Sequence, residues 1–367
     1  MKKLVGIVGW RGIVGSVLVK RMCEENDFDK INPIFLSTSK FGKKYFFLNK
    51  YYLIENAYNI DILMSLDIII TCQGSDYTNE IFFKLVSCNW KGYWIDASSN
   101  LRMNNNSIIV LDPINKKFIK ESIENGIKVF VGGNCTVSLM LMALGGLFKE
   151  NLIDWISVST YQAASGSGAK SVLELLSQMN YLTKYIKKDI KNNFSILDIM
   201  HKFIFLTKKK NFPKKNFTVS LAGNVIPWID QEMSNGQSKE EWKMKSETNK
   251  ILNIKDNNIC IDGICVRISS LRSHSQSFTI RLKKDISISS IKEIIKNQNQ
   301  WVKIVSNDYN SSKIKLTPIS VSETLNIPIG RIRKLNIGKK YLSAFTVGDQ
   351  LLWGASEPLR RVLNFLI

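Results

Sequence analysis

Histidine is scarce in this chain, which contains two among 367 residues. Its six cysteines form no C-x-x-C pair, and the closest two, Cys260 and Cys265, have no histidine nearby. A zinc site needs about four such ligands at close spacing, so the sequence predicts no metal site. No apolar run approaches the roughly 18 residues of a membrane span. The chain enters a strand at its start, without a signal peptide, so we expect a cytoplasmic protein with free thiols and no membrane partner.

Acidic residues are also few, because 31 Asp and Glu stand against 51 Lys and Arg, which gives a net charge of +20. A charge of this size raises the question of nucleic-acid binding. The lysines are dispersed as pairs and triplets among Asn and Ile residues, and no basic motif interleaved with aromatic side chains occurs. We therefore predict no specific nucleic-acid partner, although the charge alone supports weak, salt-sensitive association.

The segment Gly132-Gly133-Asn134-Cys135-Thr136 joins an alternating, β-branched stretch (127–131) to an apolar stretch (137–144). This order is typical of a strand that turns sharply into a buried helix. Cys135 then lies in the first helical turn, where free N–H groups and the helix dipole lower the pKa of a thiol. The same amides could stabilise an oxyanion. The pattern indicates a nucleophilic cysteine; the alternative is an ordinary small buried residue.

A thiol nucleophile needs a base, and the two histidines differ in their surroundings. His201 lies in an apolar segment and is predicted to be structural or exposed to solvent. His274 lies in a polar junction (269–277) between two predicted strands, which is a usual position for catalytic groups. Arg267, just upstream, carries a planar guanidinium that matches a carboxylate. We predict that His274 is the base and that Arg267 binds an anion.

A glycine-rich segment, Gly9-Trp10-Arg11-Gly12-Ile13-Val14-Gly15, follows the first predicted strand and opens an apolar-periodic helix. Glycines here let a pyrophosphate approach the helix N–H groups, so the segment predicts a dinucleotide-binding turn. An NAD site usually has a carboxylate about 20 residues further on. This chain has Ser37 and Thr38 there, and Arg11 lies in the turn itself. Positive charge without a carboxylate favours the 2′-phosphate of NADP.

The chain is organised in two parts. Residues 1–133 alternate strand and helix patterns, which predicts a mostly parallel, doubly wound Rossmann-type domain. Residues 134–348 contain longer helices and strands, which predict a second domain of the α+β kind. The last residues, 349–367, have the apolar pattern of a helix. The predicted fold class is therefore α/β with two domains.

These motifs converge on one family: over essentially its whole length, the chain resembles the aspartate-β-semialdehyde dehydrogenases of Gram-negative bacteria. Besides the segments at 9–15 and 132–136, the resemblance rests on Thr71-Cys72-Gln73-Gly74, Tyr161-Gln162-Ala163-Ala164-Ser165-Gly166, Glu240-Glu241-Trp242-Lys243, the span from Arg267 to His274-Ser275-Gln276, and Gly348-Asp349-Gln350. It implies a reversible reaction in which L-aspartyl-4-phosphate and NADPH give L-aspartate-4-semialdehyde, phosphate and NADP, on the route to lysine, threonine and methionine. It also implies a homodimer.

The resemblance implies roles for single residues. Cys135 forms a thioacyl-enzyme, and His274 takes the thiol proton and returns one later. Gln162 positions the substrate, Arg267 and Glu240 bind its carboxylate and ammonium, and Arg102 and Lys243 bind phosphate. The implied cofactor contacts are Gly9, Trp10, Arg11, Gly12, Ile13, Val14, Gly15, Ser37, Thr38, Gln73, Ser165, Gly166 and Gln350. The C-terminal helix (349–367) completes the NADP-binding domain (1–133), and residues 134–348 form the catalytic and dimerisation domain.

Several alternatives stay open. Without the resemblance, Arg102 is an ordinary solvated cation, and Glu240 and Lys243, one helical turn apart, are an ordinary surface ion pair. Other thioacyl-forming dehydrogenases, which act on glyceraldehyde-3-phosphate or N-acetylglutamyl phosphate, would use the same cysteine, histidine and nucleotide turn. Arg267 and Glu240 together form the predicted substrate clamp. An N-acylated substrate offers no ammonium to Glu240, so this clamp distinguishes aspartyl phosphate from N-acetylglutamyl phosphate. A basic binding protein that retains a dehydrogenase fold is the alternative outside enzymes.

Overall fold

The first sheet lies in the first third of the chain. The computed structural model of the protein describes residues 2–192, 194–254 and 259–367. In chain order, the strands of this part are β1 (Lys3–Val8), β2 (Ile31–Ser37), β3 (Lys44–Phe47), β4 (Lys50–Leu53), β5 (Glu55–Asn56), β6 (Ile68–Thr71), β7 (Tyr93–Asp96), β8 (Ser107–Val110) and β9 (Val129–Gly132). β3 and β4 form a separate hairpin, and the other seven pair in parallel in the order β5-β2-β1-β6-β7-β9-β8. The predicted doubly wound sheet is confirmed.

Helices cover both faces of this sheet. They are α1 (Ile13–Glu24), α2 (Ile60–Met64), α3 (Ser75–Ser87) and α4 (Asp112–Glu124). Two apolar clusters, one around Ile7 and one around Leu36, fill the space between helices and strands. The N-terminal cap of α3 is Gly74, whose φ of 99° suits a glycine. The helix therefore begins directly after this glycine, at Ser75.

The second sheet is mixed. Its strands are β10 (Ile153–Gln162), β11 (Val225–Ile226), β12 (Cys260–Ile268), β13 (His274–Leu282), β14 (Val302–Ile304), β15 (Ile327–Leu335) and β16 (Gly338–Gly348). They pair in the order β11-β12-β10-β13-β16-β15-β14. β10 and β12 are parallel, so β12 ends beside the end of β10, with Arg267 opposite Gln162. His274, predicted in a loop, is the first residue of β13, because its backbone already pairs with Gly348 of β16.

The remaining helices lie in the second part of the chain. They are α5 (Cys135–Lys149), α6 (Ala169–Lys191), α7 (Ile196–Lys208), α8 (Lys239–Ile251), α9 (Ile288–Lys296), α10 (Tyr309–Lys315), α11 (Pro318–Val321) and α12 (Glu357–Leu366). In α5 every residue from Thr136 to Phe148 is buried, as its apolar sequence predicts. His201 lies on α7 with its side chain exposed. None of the helices in the described ranges is long and apolar enough to cross a membrane.

The C-terminal helix returns to the first sheet. Leu359, Val362 and Leu363 of α12 belong to the same apolar cluster as Ile7 of β1. Arg360, on the same helix, lies 2.9 Å from carboxylate oxygens of both Asp27 and Glu357. Two carboxylates that are fully buried depend on this cation, which ties the tail to the region just after α1.

Replacement of Arg360 by Met should destabilise the protein by about 3 kcal/mol, because Asp27 would lose its nearest cation and Glu357 one of the two guanidinium groups that contact it most closely, Arg21 being the other. Thermal unfolding followed by circular dichroism would measure the loss. Lys117→Met is the control, since Lys117 and its partner Glu121 form an exposed pair on α4 and should contribute little. Equally small decreases in melting temperature in the two variants would contradict the expectation that the buried ion pairs of Arg360 contribute more to stability than an exposed pair does.

Candidate active site

The glycine-rich turn between β1 and α1 is shaped by close backbone contacts. Gly9 has a φ of 73°, and its carbonyl oxygen accepts a hydrogen bond from Gly12 N at 3.0 Å. A Cβ on Gly15 would lie 2.2 Å from the same oxygen, so a larger residue does not fit there. The turn therefore brings the N-terminal N–H groups of α1 to the carboxyl edge of the sheet, which is the geometry that binds a pyrophosphate.

Two side chains beside this turn have different surroundings. The indole of Trp10 is buried against Phe35 and Tyr45, so only the backbone of Trp10 faces the turn. The exposed Arg11, in contrast, donates from Nη2 to Ser37 Oγ at 2.6 Å, at the end of β2. Thr38 follows directly. A guanidinium beside hydroxyl groups, without a carboxylate, fits the 2′-phosphate of NADP.

Gln73 lies on the other side of the same turn. It follows β6, and its backbone N–H donates to Thr71 Oγ1 at 3.2 Å. A Cβ on Gly9 would lie 2.7 Å from the carbonyl carbon of Cys72 and 2.8 Å from Gln73 N. The backbone at Gln73 therefore abuts the glycine-rich turn, and the exposed Gln73 side chain is within the nucleotide region of the sheet.

A cavity of about 380 Å³ joins the nucleotide turn to the second sheet. Its lining contains side chains from both domains: Val14, Ala97, Ser99, Arg102, Asn134, Cys135, Gln162, Ser165, Gly166, Asp230, Glu240, Lys243, Arg267, Gln350 and Gly354. The predicted nucleophile, substrate clamp and phosphate ligands thus share one space. In the part of the chain that the structure describes, no cluster of His, Cys, Asp and Glu side chains could hold a metal ion.

Asn134 caps the helix that carries the predicted nucleophile. Cys135 is the first residue of α5, and Asn134 Oδ1 accepts hydrogen bonds from Thr136 N at 3.0 Å and Val137 N at 3.3 Å. The backbone N–H of Asn134 itself donates to Glu247 Oε2 at 2.6 Å. These three amides are therefore engaged within the protein. Stabilisation of an oxyanion at this helix start stays a prediction, and it falls to the N–H of Cys135.

The Cys135 thiol is neutral in the free protein. Burial raises its pKa to about 12, and the negative charge of Glu240 acts in the same direction. The cations of Arg267, Arg102 and Lys243 oppose this shift without cancelling it. The expectation of a lowered pKa is wrong, because desolvation and the charge of Glu240 outweigh the neighbouring cations.

His274 presents a hydrogen-bond donor to the site. Its ring is fully buried, and Nδ1 accepts a hydrogen bond from Ala163 N at 3.0 Å. Burial, together with the charge of Arg267, lowers its pKa well below the usual value, so the ring is neutral at pH 7. A neutral ring that accepts at Nδ1 carries its proton on Nε2. Among the described residues, Nε2 has no partner.

Arg267 and His274 face the same space. Arg267 Nη1 donates to Ala163 O at 2.7 Å, so the two side chains bind the two polar groups of one residue. A Cβ on Gly166 would lie 2.9 Å from Arg267 Nη1 and 3.1 Å from His274 Nε2. The absence of a side chain at Gly166 leaves room in front of both donors, where a substrate oxygen can bind.

Glu240 is the centre of the polar network. Its Oε1 accepts from Asn134 Nδ2 and from Gln162 Nε2, both at 3.0 Å, and its Oε2 accepts from Lys243 Nζ at 3.0 Å. Burial alone would raise the pKa of Glu240, but the charge of Lys243 and these hydrogen bonds hold it below its usual value. Glu240 and Lys243 are both over 90% buried, so they do not form a surface ion pair.

The second predicted phosphate ligand is also fixed by neighbours. Arg102 is 8% exposed, and it donates from Nε to Gly132 O at 2.7 Å and from Nη1 to Glu247 Oε1 at 3.0 Å. It is therefore not a solvated loop cation. Lys243 Nζ lies 2.6 Å from Asp230 Oδ2 in addition to Glu240. Both cations line the cavity while paired with carboxylates.

Gln350 connects two loops of the site. Its Oε1 accepts from Ser273 N at 2.7 Å, and its Nε2 donates to Ser165 Oγ. Ser273 precedes His274, and Ser165 lies in the 3₁₀ turn (Ala164–Ser167) beside Gly166. Gln350 therefore holds the backbone around His274, and its predicted contact with the cofactor stays a prediction.

Sequence reasoning missed several residues of the site. Glu247 follows Glu240 and Lys243 at spacings of 3 and 4, so all three lie on one face of α8, and this pattern could have revealed it. No pattern in the sequence indicated that Gly354 belongs to the site. A Cβ there would lie 2.6 Å from Cys135 Cβ, because the π-helical turn before α12 (Leu352–Ser356) packs against the nucleophile.

Comparison with known proteins gives a consistent result. A family model described as semialdehyde dehydrogenase, NAD binding domain, matches residues 4–122, and one described as semialdehyde dehydrogenase, dimerisation domain, matches residues 144–353. The structure of aspartate semialdehyde dehydrogenase from Francisella tularensis is 48% identical, with a TM-score of 0.96, and each chain covers 100% of the other.

Two more distant structures share the fold. Aspartate semialdehyde dehydrogenase II from Vibrio cholerae, complexed with ASA, is 22% identical with a TM-score of 0.80. Aspartate semialdehyde dehydrogenase with NADP from Candida albicans is 13% identical with a TM-score of 0.67. In both cases the match covers 100% of this chain and 98% of the other.

The raised pKa of Cys135 predicts the pH dependence of its alkylation. Since the thiolate is the reactive form, the rate with iodoacetamide should rise about tenfold per pH unit from about pH 7 to pH 10. Mass spectrometry of the peptide containing Cys135 would separate it from the other thiols, and Cys135→Ser gives the background. A rate that reaches its plateau below about pH 8 would show an activated thiol and contradict the prediction.

Proposed function

The chain belongs to the aspartate semialdehyde dehydrogenase family, and we propose that it catalyses the reversible reduction of L-aspartyl-4-phosphate by NADPH to L-aspartate-4-semialdehyde and phosphate. The observation that carries this proposal is the shared cavity, which is lined by the thiol of Cys135, by the cations of Arg102, Lys243 and Arg267 and by the buried carboxylate of Glu240. The neutral imidazole of His274 lies beside Gly166 at its edge. The product would serve the biosynthesis of lysine, threonine and methionine.

Arg267 and Glu240 fit the two charges at the amino-acid end of the substrate. Arg267 is buried beside Gly166 and can give a bidentate contact to an α-carboxylate. Glu240 is held ionised and can accept from an ammonium group. Glyceraldehyde-3-phosphate has neither group, and N-acetylglutamyl phosphate has no ammonium. The clamp therefore favours aspartyl phosphate over these alternatives.

In the first step, Cys135 Sγ attacks the acyl carbon of aspartyl phosphate, the S–C bond forms, and the C–O bond to phosphate breaks. Arg102 and Lys243 stabilise the departing phosphate through their positive charges. The lone pair of His274 Nδ1 is occupied by Ala163 N–H, and Nε2 already carries a proton. We therefore propose that the thiol proton leaves with the phosphate, and that His274 is not the base predicted from the sequence.

In the second step, the thioester on Cys135 is reduced. When bound, the cofactor supplies the hydride. His274 Nε2 donates its hydrogen bond to the carbonyl oxygen and stabilises the negative charge that develops there as the thiohemiacetal forms. Collapse of the thiohemiacetal breaks the C–S bond and releases the aldehyde, and the Cys135 thiolate then takes up one proton from solvent. Gln162, held by Glu240, lies in the same cavity and orients the substrate.

The cofactor contacts follow from the geometry of the first domain. The N-terminus of α1 is positioned for the pyrophosphate, and Arg11 with Ser37 and Thr38 is positioned for the 2′-phosphate. We accordingly assign residues 1–133 with 349–367 to the NADP-binding domain and residues 134–348 to the catalytic and dimerisation domain. Ser165, Gly166 and Gln350 border the cavity that opens toward α1.

We further propose a homodimer that forms through the second sheet. One face of this sheet packs on α5 and α9. The opposite face carries two aromatic pairs, Trp155 with Tyr341 and Tyr161 with Phe345. Tyr161 and Ile264 on this face are 36% and 54% exposed. Apolar side chains spread over a flat sheet favour burial against a second copy.

The proposed reaction is tested by phosphate-dependent reduction of NADP with L-aspartate-4-semialdehyde. We expect turnover with this aldehyde and none with glyceraldehyde-3-phosphate or N-acetylglutamate-5-semialdehyde, because only the first offers both charges of the clamp. Cys135→Ala should abolish turnover while NADPH binding, measured by fluorescence, stays intact. Turnover with another aldehyde would overturn the substrate, and residual turnover in Cys135→Ala would remove the thioacyl step.

Arg267→Lys tests the carboxylate contact. An ammonium cannot hold Ala163 O and a carboxylate in the planar geometry of a guanidinium, so the KM for the semialdehyde should rise about tenfold to a hundredfold. The KM for NADP should stay unchanged. Arg331→Lys is the matched control, since Arg331 is exposed on β15, donates to Asn307 and does not line the cavity. An unchanged KM for the semialdehyde in Arg267→Lys would assign the carboxylate contact to another residue.

A further inference from the structure

Glu247 is a buried carboxylate to which the proposed reaction gives no role. It is 2% exposed, and both of its oxygens accept hydrogen bonds. Oε1 accepts from Arg102 Nη1 at 3.0 Å, and Oε2 accepts from the backbone N–H of Asn134 at 2.6 Å. Arg102 is the proposed phosphate ligand, and Asn134 precedes the nucleophile. One side chain therefore contacts both the leaving-group site and the backbone beside the attacking sulfur.

The contact with Arg102 fixes the plane of a guanidinium. Gly132 O accepts from Nε and Glu247 accepts from Nη1, so two of the three nitrogens are held by the protein. The Nη2 group is the part of the side chain left for an anion in the cavity that Arg102 lines. Without Glu247, the guanidinium could rotate about its last bonds and lose this orientation.

The contact with Asn134 fixes the start of α5. Asn134 uses its side chain twice, because Oδ1 caps α5 and Nδ2 donates to Glu240. A shift of the Asn134 backbone would therefore move the thiol of Cys135 and the substrate clamp together. The backbone N–H is buried, and Glu247 is the partner that holds it.

We propose that Glu247 is a positioning residue that aligns the phosphate-binding guanidinium of Arg102 with the backbone that carries Cys135. This inference rests on the proposed function, since it takes Arg102 as a phosphate ligand. The chemistry requires a carboxylate, because both partners are donors and only a carboxylate accepts at both oxygens. A glutamine in the same place accepts at one oxygen and presents N–H groups to the other donor.

Glu241 provides a matched control on the same helix. It is 7% exposed, and its two oxygens accept from the backbone N–H groups of Ser238, at 2.7 Å, and Cys265, at 3.1 Å. It therefore resembles Glu247 in burial and in hydrogen bonding, but its partners lie at the helix cap and on β12. Loss of either carboxylate costs stability, whereas only Glu247 contacts the phosphate ligand.

The test measures phosphate affinity in Glu247→Gln, Glu247→Asp and Glu241→Gln. Protection of Cys135 from iodoacetamide by inorganic phosphate gives a dissociation constant without turnover, and the KM for phosphate in aldehyde oxidation gives a second value. For Glu247→Gln we expect both constants to rise about tenfold or more and kcat to fall, since two charge-assisted or buried hydrogen bonds are disturbed. Glu247→Asp keeps two acceptor oxygens, so its phosphate constants should lie between those of Glu247→Gln and those of the native protein.

Glu241→Gln should lower the melting temperature but leave both phosphate constants within about twofold of the native values. Unchanged phosphate constants in Glu247→Gln would show a purely structural carboxylate and overturn the proposal. Tighter phosphate binding would show that Glu247 acts on Arg102 only as a counter-charge and would overturn it too. If Glu247→Gln does not fold, Glu247→Asp decides, and phosphate constants within about twofold of native there overturn the proposal.

The alkylation measurement separates this inference from the proposed reaction. If the native protein does not oxidise the semialdehyde but phosphate still protects Cys135, the reaction fails while the effect of Glu247 on phosphate can be measured. If the native protein turns over but Glu247→Gln binds phosphate normally, the positioning role fails alone.

Discussion

The hydrogen bonds of Asn134 are the contacts on which the site depends. Its side chain caps α5 and donates to Glu240, and its backbone N–H donates to Glu247. A single residue at the junction of β9 and α5 thus connects the proposed nucleophile, the proposed substrate clamp and, through Glu247, the proposed phosphate ligand Arg102. Because β9 is an interior strand of the first sheet and α5 is buried along its length, this junction is held rigidly on both sides. The relative positions of the side chains in the proposed site therefore depend on the packing of the turn between β9 and α5.

Burial determines the electrostatics around that turn. Two cations of the site are paired with carboxylates in the absence of substrate, Lys243 with Glu240 and Asp230, and Arg102 with Glu247. Pairing makes these charges tolerable in a poorly solvated place. The buried guanidinium of Arg267 has no carboxylate partner among the described residues and donates to Ala163 O, which leaves it to bind an anionic group of a substrate. The thiol of Cys135 and the imidazole of His274 are pushed toward their neutral forms. The same desolvation strengthens the attraction of the site for the carboxylate, ammonium and phosphate of an entering substrate.

The sequence predicted the parts of this arrangement that depend on local pattern. The parallel sheet, the glycine-rich turn and the position of Cys135 at a helix start follow from periodicity and turn residues, and the resemblance to the semialdehyde dehydrogenases is confirmed. The pKa of Cys135 could not be predicted in this way, because its desolvation comes from α8, β12 and the C-terminal turn, which are distant in the chain. The burial of the Trp10 indole depends in the same way on Phe35 and Tyr45. Gly354 is required by a contact with Cys135 that no local pattern reveals.

The C-terminal segment explains how two domains make one site. Reduction of a thioester on Cys135 requires the hydride donor, bound on the first domain, to face a sulfur at the start of α5. Gln350 binds Ser165, which borders the cavity, and Ser273, which precedes His274, and Gly354 packs against Cys135. A few residues later, Arg360 of α12 pairs with Asp27 of the first domain. Residues 350–354 therefore connect the second domain to a helix that packs on the first sheet. A rotation of one domain against the other would have to break the hydrogen bonds of Gln350 to Ser165 and Ser273 and the packing of Gly354 against Cys135, so this segment restrains the distance between the proposed cofactor site and the sulfur.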